Sequence, residues 1–168
     1  MLTHIELQRH EADRKAHIAF ERGIDAIGQL FILAGAVCLV PFLFAVIALF
    51  KVSTAQDAVV WALVAVAVGG SGIGAIWCGR NLRRHNRTAR VVVSVLTTPI
   101  LAAFPAGTLL GATFWWVLWS PRGRRVFADD YGAVIQATPH VVAPTPGLVW
   151  VVAILMVTGL YWLLAWAL

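Results

Sequence analysis

Glu6, His10, Asp13 and His17 recur at i, i+4, i+7 and i+11, which is one stripe of a helix. Imidazole and carboxylate together suit a divalent metal such as zinc. The two histidines also titrate near neutrality, so the stripe could respond to pH. A solvated helix face with internal ion pairs has the same composition. These four residues are therefore weak metal candidates, and no metal or other cofactor is assigned. Ile5, Ala12, Ala16, Ala19, Gly23 and Ala26 form a small, weakly apolar face opposite. No HExxH, Walker loop or paired-cysteine motif occurs.

A second constellation is Gly69-Gly70-Ser71-Gly72-Ile73-Gly74. Gly70 and Gly74 make a GxxxG, with Ala67 and Ser71 as a parallel small-residue pair, so helix packing through Gly69, Gly70, Ser71 and Gly74 is expected. Two other readings stay open. Gly69 to Gly72 matches the G-x-S-G of rhomboid intramembrane proteases, but that chemistry needs a His to activate the Ser, and all five His lie outside the expected spans. An unwound glycine segment could instead offer carbonyls to an ion.

Cations form two clusters: Arg80, Arg83, Arg84, Arg87 and Arg90, and then Arg122, Arg124 and Arg125. They suit membrane topology determination and the binding of anionic lipid head groups. Nucleic acid is not expected as a partner, because no stacking aromatics accompany them. The net charge of +5 and the pI of about 10.0 have the same source.

The elements that carry these residues are set by absence of charge. No Asp, Glu, Lys or Arg occurs in 26–50, 58–79, 91–121 or 131–168. About 20 apolar residues suffice for a helix to cross the hydrocarbon layer. With 60% hydrophobic residues and a mean hydropathy of +0.81, the chain reads as an integral membrane protein. A secretory signal is not expected, because residues 1–25 contain no apolar core. Residues 1–26 read as an amphipathic cytoplasmic helix, and 27–168 as a transmembrane bundle. Its spans are about 27–50, with a kink at Pro41, then 58–79, 89–104/107–119 and 147–168, with an interfacial segment at 120–146. Within that segment 128–137 suggests a short helix with Phe127, Tyr131, Val134 and Ile135 on one side. Cys38 and Cys78 fall about 15 Å apart in depth at the helical rise, so both are expected to be free thiols.

Val91 to Trp119 would make a helix of about 43 Å, longer than one crossing needs. Phe104, Pro105, Gly107 and Thr108 interrupt it, and Pro with Gly two residues on is a turn signal. A single kinked crossing, giving four plain transmembrane helices, puts nine of the 13 cations on one side. A hairpin turning at Pro105 puts twelve of the 13 on one side and leaves Lys51 alone opposite. The positive-inside rule favours the hairpin. The expected fold is thus all-α, three full spans plus a proline-turned helical hairpin, with the N-terminus cytoplasmic.

Four segments together resemble a group of small bacterial multi-pass inner-membrane proteins. They are His10-Glu11-Ala12, Asn81-Leu82-Arg83-Arg84 with Ala89-Arg90, Phe104-Pro105-Ala106-Gly107-Thr108, and Ala137-Thr138-Pro139-His140. Thr88 stands where the group often has Trp, and Val141-Val142-Ala143 where it often has basic residues. The resemblance implies topology and a bacterial inner-membrane location, and carries no activity.

The uncharged apolar runs leave little material for proton coupling or catalysis at depth. The expected function is a non-catalytic accessory, scaffold or assembly subunit. Its partners would be the bilayer, anionic lipids, and other membrane subunits or further copies of itself. The alternatives are a small channel or transporter for an uncharged or lipid-like substrate, and a sensor or immunity-type protein using His10 and His17.

Overall fold

The computed structural model describes residues 4–102 and 106–141, together with Gly147, Val151, Ile154 and Thr158. Its helices are α1 (His4–Lys51), α2 (Ala55–Arg83), α3 (Arg87–Thr97), a 3₁₀ turn (Pro99–Ala102), α4 (Ala106–Trp119), α5 (Pro121–Val126) and α6 (Tyr131–Ala137). Among the described residues there is no strand. Phe104, Pro105 and nearly all of 147–168 lie outside those residues, so the expected turn and last span do too. α1 and α2 are long and apolar enough to cross a membrane.

Local chemistry explains the breaks. The Thr54 hydroxyl accepts from the Asp57 N–H at 3.2 Å and donates to its carboxylate at 2.6 Å, which caps the start of α2. α2 ends in a Schellman arrangement. The Asn86 N–H reaches the Asn81 carbonyl at 3.0 Å, and the His85 N–H reaches that of Leu82 at 2.9 Å. His85 holds the left-handed conformation there, at φ 55°. The Asn86 side chain then caps α3 through the Thr88 N–H at 2.9 Å. Ser120 caps α5 and Pro121 fills its first position. Gly123 is required, because a Cβ there would overlap the Val117 carbonyl.

The chain forms two compact units, Met1–Ile27 with Asn81–Pro146, and Gly28–Arg80 with Gly147–Leu168. In the first, Ile24, Leu82, Val93, Leu118, Val126 and Tyr131 are fully buried or nearly so. The 91–119 run here is not one continuous helix: Pro99 follows the end of α3, and α4 starts at Ala106. α3 and α4 lie side by side and antiparallel. The Trp119 indole donates to Ser94 Oγ at 2.7 Å, while the Thr108 hydroxyl donates to the Leu101 carbonyl at 2.8 Å.

In the second unit α1 and α2 approach through glycine. A Cβ added to Gly35 would stand 2.5 Å from the Gly72 carbonyl oxygen, and one added to Gly79 would overlap the Gly28 carbonyl. One added to Gly72 would press on Cys38 Cβ at 3.1 Å. Gly28 and Gly35 are one heptad apart, as are Gly72 and Gly79, so each pair stays on a single face. Cys38 and Cys78 are free thiols.

Candidate functional site

α1 carries a face that turns polar toward its N-terminus: Ile24, then Glu21, His17, Arg14 and His10. Arg14 and Glu21 are buried at 6% and 5% exposure. They form a forked pair, Nη2 to Oε1 at 3.0 Å and Nε to Oε2 at 3.3 Å. Arg14 Nη1 also donates to the Thr138 carbonyl and lies 3.2 Å from Thr138 Oγ1. The Tyr131 hydroxyl donates to Glu21 Oε2 at 3.3 Å. Burial, reinforced by the Glu21 carboxylate, pushes the Tyr131 phenol above its ordinary pKa. A buried ion pair is tolerable only when its remaining hydrogen-bonding capacity is met, and Tyr131 and Thr138 meet it.

Further ion pairs surround this pair. Arg125 holds both oxygens of Asp130, at 2.8 and 2.7 Å, and Asp13 at 3.0 Å. Those hydrogen bonds lower the Asp130 pKa. His17 Nδ1 lies 3.2 Å from Asp13 Oδ1, and the His17 ring makes an edge contact with Tyr131. His140 Nε2 is 2.9 Å from Glu11 Oε1, and this bond lowers the Glu11 pKa. His10-Glu11-Ala12 and Ala137-Thr138-Pro139-His140, far apart in sequence, therefore meet here.

Periodicity alone puts the stripe through Asp13 and His17 in solvent, with the alanine face opposite as its apolar side. The structure reverses the two. Asp13 and His17 are half-buried, while Ala12, Ala16 and Ala19 are exposed and Ile5 is 63% exposed. The reason is continuity: the helix face holding Ile24 and Ile27 in the core runs back through Glu21, His17 and Arg14. Glu6 is exposed and His10 half-buried. Among the described residues no three His, Cys, Asp or Glu converge as metal ligands.

The clustered arginines divide. Arg125 is taken by Asp13 and Asp130. Arg87 pairs with Asp129 at 3.1 Å and donates to the Phe127 carbonyl at 3.1 Å. Arg90 lies over the Trp119 ring at 4.6 Å and the Phe127 ring at 5.4 Å. Arg124 donates to the Trp119 carbonyl at 3.1 Å. Arg83, Arg84 and Arg122 are exposed.

The expected packing residues also divide. Gly69 faces the Phe42 ring, where an added Cβ would come within 2.9 Å. Ser71 is exposed and its hydroxyl donates to the Val68 carbonyl at 2.8 Å. A Cβ on Gly70 or Gly74 would meet nothing within 4 Å among the described residues. Gly107 is buried, and Thr108 ties α4 to Leu101.

Beside the ionic cluster lies an open pocket of about 230 Å³, lined in part by Arg84, His85, Phe127, Asp129, Gly132 and Ile135. The His85 ring packs edge-on to Phe127, and its Nε2 is buried without a hydrogen-bond partner. Burial lowers the His85 pKa, opposed by Asp25 and Glu21. Burial raises that of Asp25, opposed by His85 and Arg83 and reinforced by Glu21. Sequence patterns do not single out Arg14, Glu21 or His85, they give Thr138 only as part of the Ala137-Thr138-Pro139-His140 resemblance, and they give Tyr131 only a place on an apolar face. Following the Ile24 face backward along α1 leads to the first two.

No family model matches the chain, and no curated protein and no solved structure is significantly similar to it.

Proposed function

We propose that the protein is a non-catalytic accessory or assembly subunit of the bacterial inner membrane. The observation that carries this reading is α1 itself. Its first half is ion-paired into a polar unit, and its second half is apolar and outward-facing. Only 11% of the most apolar window of α1, and 11% of that of α2, is buried. A core helix of a water-soluble protein would be mostly buried, whereas side chains such as Leu43 (57% exposed), Phe50 (84%) and Val66 (74%) suit lipid.

In this reading α1 and α2 cross the bilayer, and α3 and α4 enter and return as a hairpin. At 11 and 14 residues, these two helices are each short of a full crossing. The N-terminus, the arginine-rich turn and α5–α6 then share the cytoplasmic side. The last apolar run crosses once more and leaves Leu168 outside. The polar side chains at the centre of the ionic cluster are already paired to one another, which suits a folded platform better than a reaction centre. Gly70 and Gly74, where a Cβ would meet nothing within 4 Å among the described residues, suit a further helix, from this chain's last apolar run, a partner subunit or a second copy.

The test is native mass spectrometry of the full chain after extraction in a mild detergent. A retained partner subunit or second copy is the expected result, and a bare monomer under all mild conditions would overturn the proposal. A reporter fused after Leu168 tests the topology separately: an external signal is expected, and a cytoplasmic one refutes the hairpin.

A further inference from the structure

Trp119, which ends α4, is held from three sides. Its indole donates to Ser94 Oγ of α3 at 2.7 Å, its carbonyl accepts from Arg124 Nε at 3.1 Å, and the Arg90 guanidinium lies over its ring at 4.6 Å. Two arginines from different helices thus gather on one residue. Arg87, one turn before Arg90, is offset by Asp129 at 3.1 Å. Among the described residues no carboxylate pairs with Arg90 or Arg124, and the charges that act on Arg90 are the like charges of Arg124 and Arg87. Arg90 is also half-buried. Like charges brought together and partly withdrawn from water are costly unless a counter-charge joins them. The faces of Trp119 and Phe127 attract the Arg90 cation but do not cancel it.

An exposed apolar surface begins at the same place. Trp115 stacks on Trp119 at 6.2 Å and is exposed, and Ala112 and Leu109 continue that exposed face toward the start of α4. On α3, Val91 and Val95 beside Arg90 are exposed as well. Two uncancelled cations at the head of an apolar face match a molecule with an anionic head and an apolar tail. We propose that Arg90 and Arg124 form a head-group site for an anionic phospholipid, with its acyl chains along Trp115 and Leu109. Arg124 holds the phosphate through its two terminal nitrogens, because its Nε is committed to Trp119. Arg90 Nε is buried and takes no part, so Arg90 acts by its charge, which needs no aligned donor. The site rests on the hairpin proposed above, which puts Trp115, Trp116 and Trp119 at the cytoplasmic head-group level, where indoles favour the interface.

The test is native mass spectrometry of the full chain in a neutral detergent, titrated with phosphatidylglycerol or with phosphatidylcholine of the same acyl chains. Phosphatidylglycerol is expected to bind about tenfold more tightly or better, the value of one charge-assisted hydrogen bond. Arg124→Gln should remove most of that preference, and because Arg124 is exposed the fold survives the change. Arg90→Gln should do the same. Arg83→Gln and Arg122→Gln remove exposed cations that do not touch Trp119 among the described residues, and each should change the preference by less than about twofold. The proposal is overturned if the two lipids bind alike, or if Arg83→Gln or Arg122→Gln costs as much as Arg124→Gln. It is also overturned if glycerol 3-phosphate displaces phosphatidylglycerol at equal concentration, which would make the ligand a soluble anion. The reporter after Leu168 separates this site from the hairpin. An external signal without any lipid preference strikes the site alone, and a cytoplasmic signal strikes the hairpin on which it rests.

Discussion

The two halves of α1 are held by opposite means. Over residues 4–27 the helix is fixed by directional groups: a buried Arg14–Glu21 fork, the Tyr131 hydroxyl, and Asp13 on Arg125. Over residues 28–51 it is fixed by shape, with Gly35 of α1 admitting the Gly72 carbonyl and Gly79 of α2 admitting the Gly28 carbonyl. The first half needs its partners present and correctly charged. The second needs side chains absent. Within the proposed membrane setting this division is reasonable, because neighbouring helices in lipid gain little from hydrophobicity and depend on close packing.

The comparison can be broken most forcefully at Arg14. Arg14→Met leaves Glu21 charged and buried, and should cost the polar unit about 3–5 kcal/mol by denaturant unfolding. Adding Glu21→Met should restore most of that loss, because an apolar pair of similar volume replaces both charges. A double variant as unstable as the single would mean that the uncompensated Glu21 charge is not the source of the loss.

The next largest effect belongs to the other half. Gly35→Leu forces a side chain against the Gly72 carbonyl, with an expected cost of about 1–3 kcal/mol or more. Gly70→Leu, four residues from Gly74 in the GxxxG, should leave the α1–α2 contact unchanged, because its Cβ would meet nothing of α1 among the described residues. A disulfide cross-link between cysteines introduced at Ile32 and Ile76 reads the contact in both variants. Equal loss in the two would mean that the heptad-spaced glycines do not set the approach.

A smaller effect sharpens the polar half. Tyr131→Phe removes one buried hydrogen bond to Glu21 and should cost about 1 kcal/mol, measured as a shift in the unfolding midpoint. The smallest effects are with pH. His85 has a lowered folded-state pKa, so its contribution is full above its ordinary value of about 6.5 and is lost as pH falls through the lowered one. Asp25 has a raised pKa. Its contribution is full below about 3.8 and is lost as pH rises through the raised value. An unfolding series from pH 4 to pH 8 should therefore show His85→Gln flattening the acid-side loss. Asp25→Asn should stabilise at neutral pH and lose that advantage at the acid end.

Helix content and a short helix within 128–137 are legible from composition and apolar patterning. The turn signal at Pro105 lies outside the described residues, and the end of α3 at Thr97, ahead of Pro99, goes unread because the apolar run continues through it. The packing face of α2 is not legible either. Small residues occur there at both four- and seven-residue spacing, and only the facing helix decides which spacing is used. The polar stripe of α1 reads wrongly because its partners, Arg125, Tyr131 and Thr138, lie more than 100 residues away. Local periodicity ranks a face by its own polarity and cannot register a distant complementary charge. His85 is hidden for a simpler reason: a left-handed helix end ordinarily announces itself with glycine.

Amide hydrogen exchange along α1, in detergent, tests the divided anchoring most directly by comparing Arg14→Met with Gly35→Leu. The account predicts that Arg14→Met loses protection over residues 4–27 while 28–51 stay protected, and that Gly35→Leu does the reverse. Loss of protection along the whole helix in either variant would contradict it.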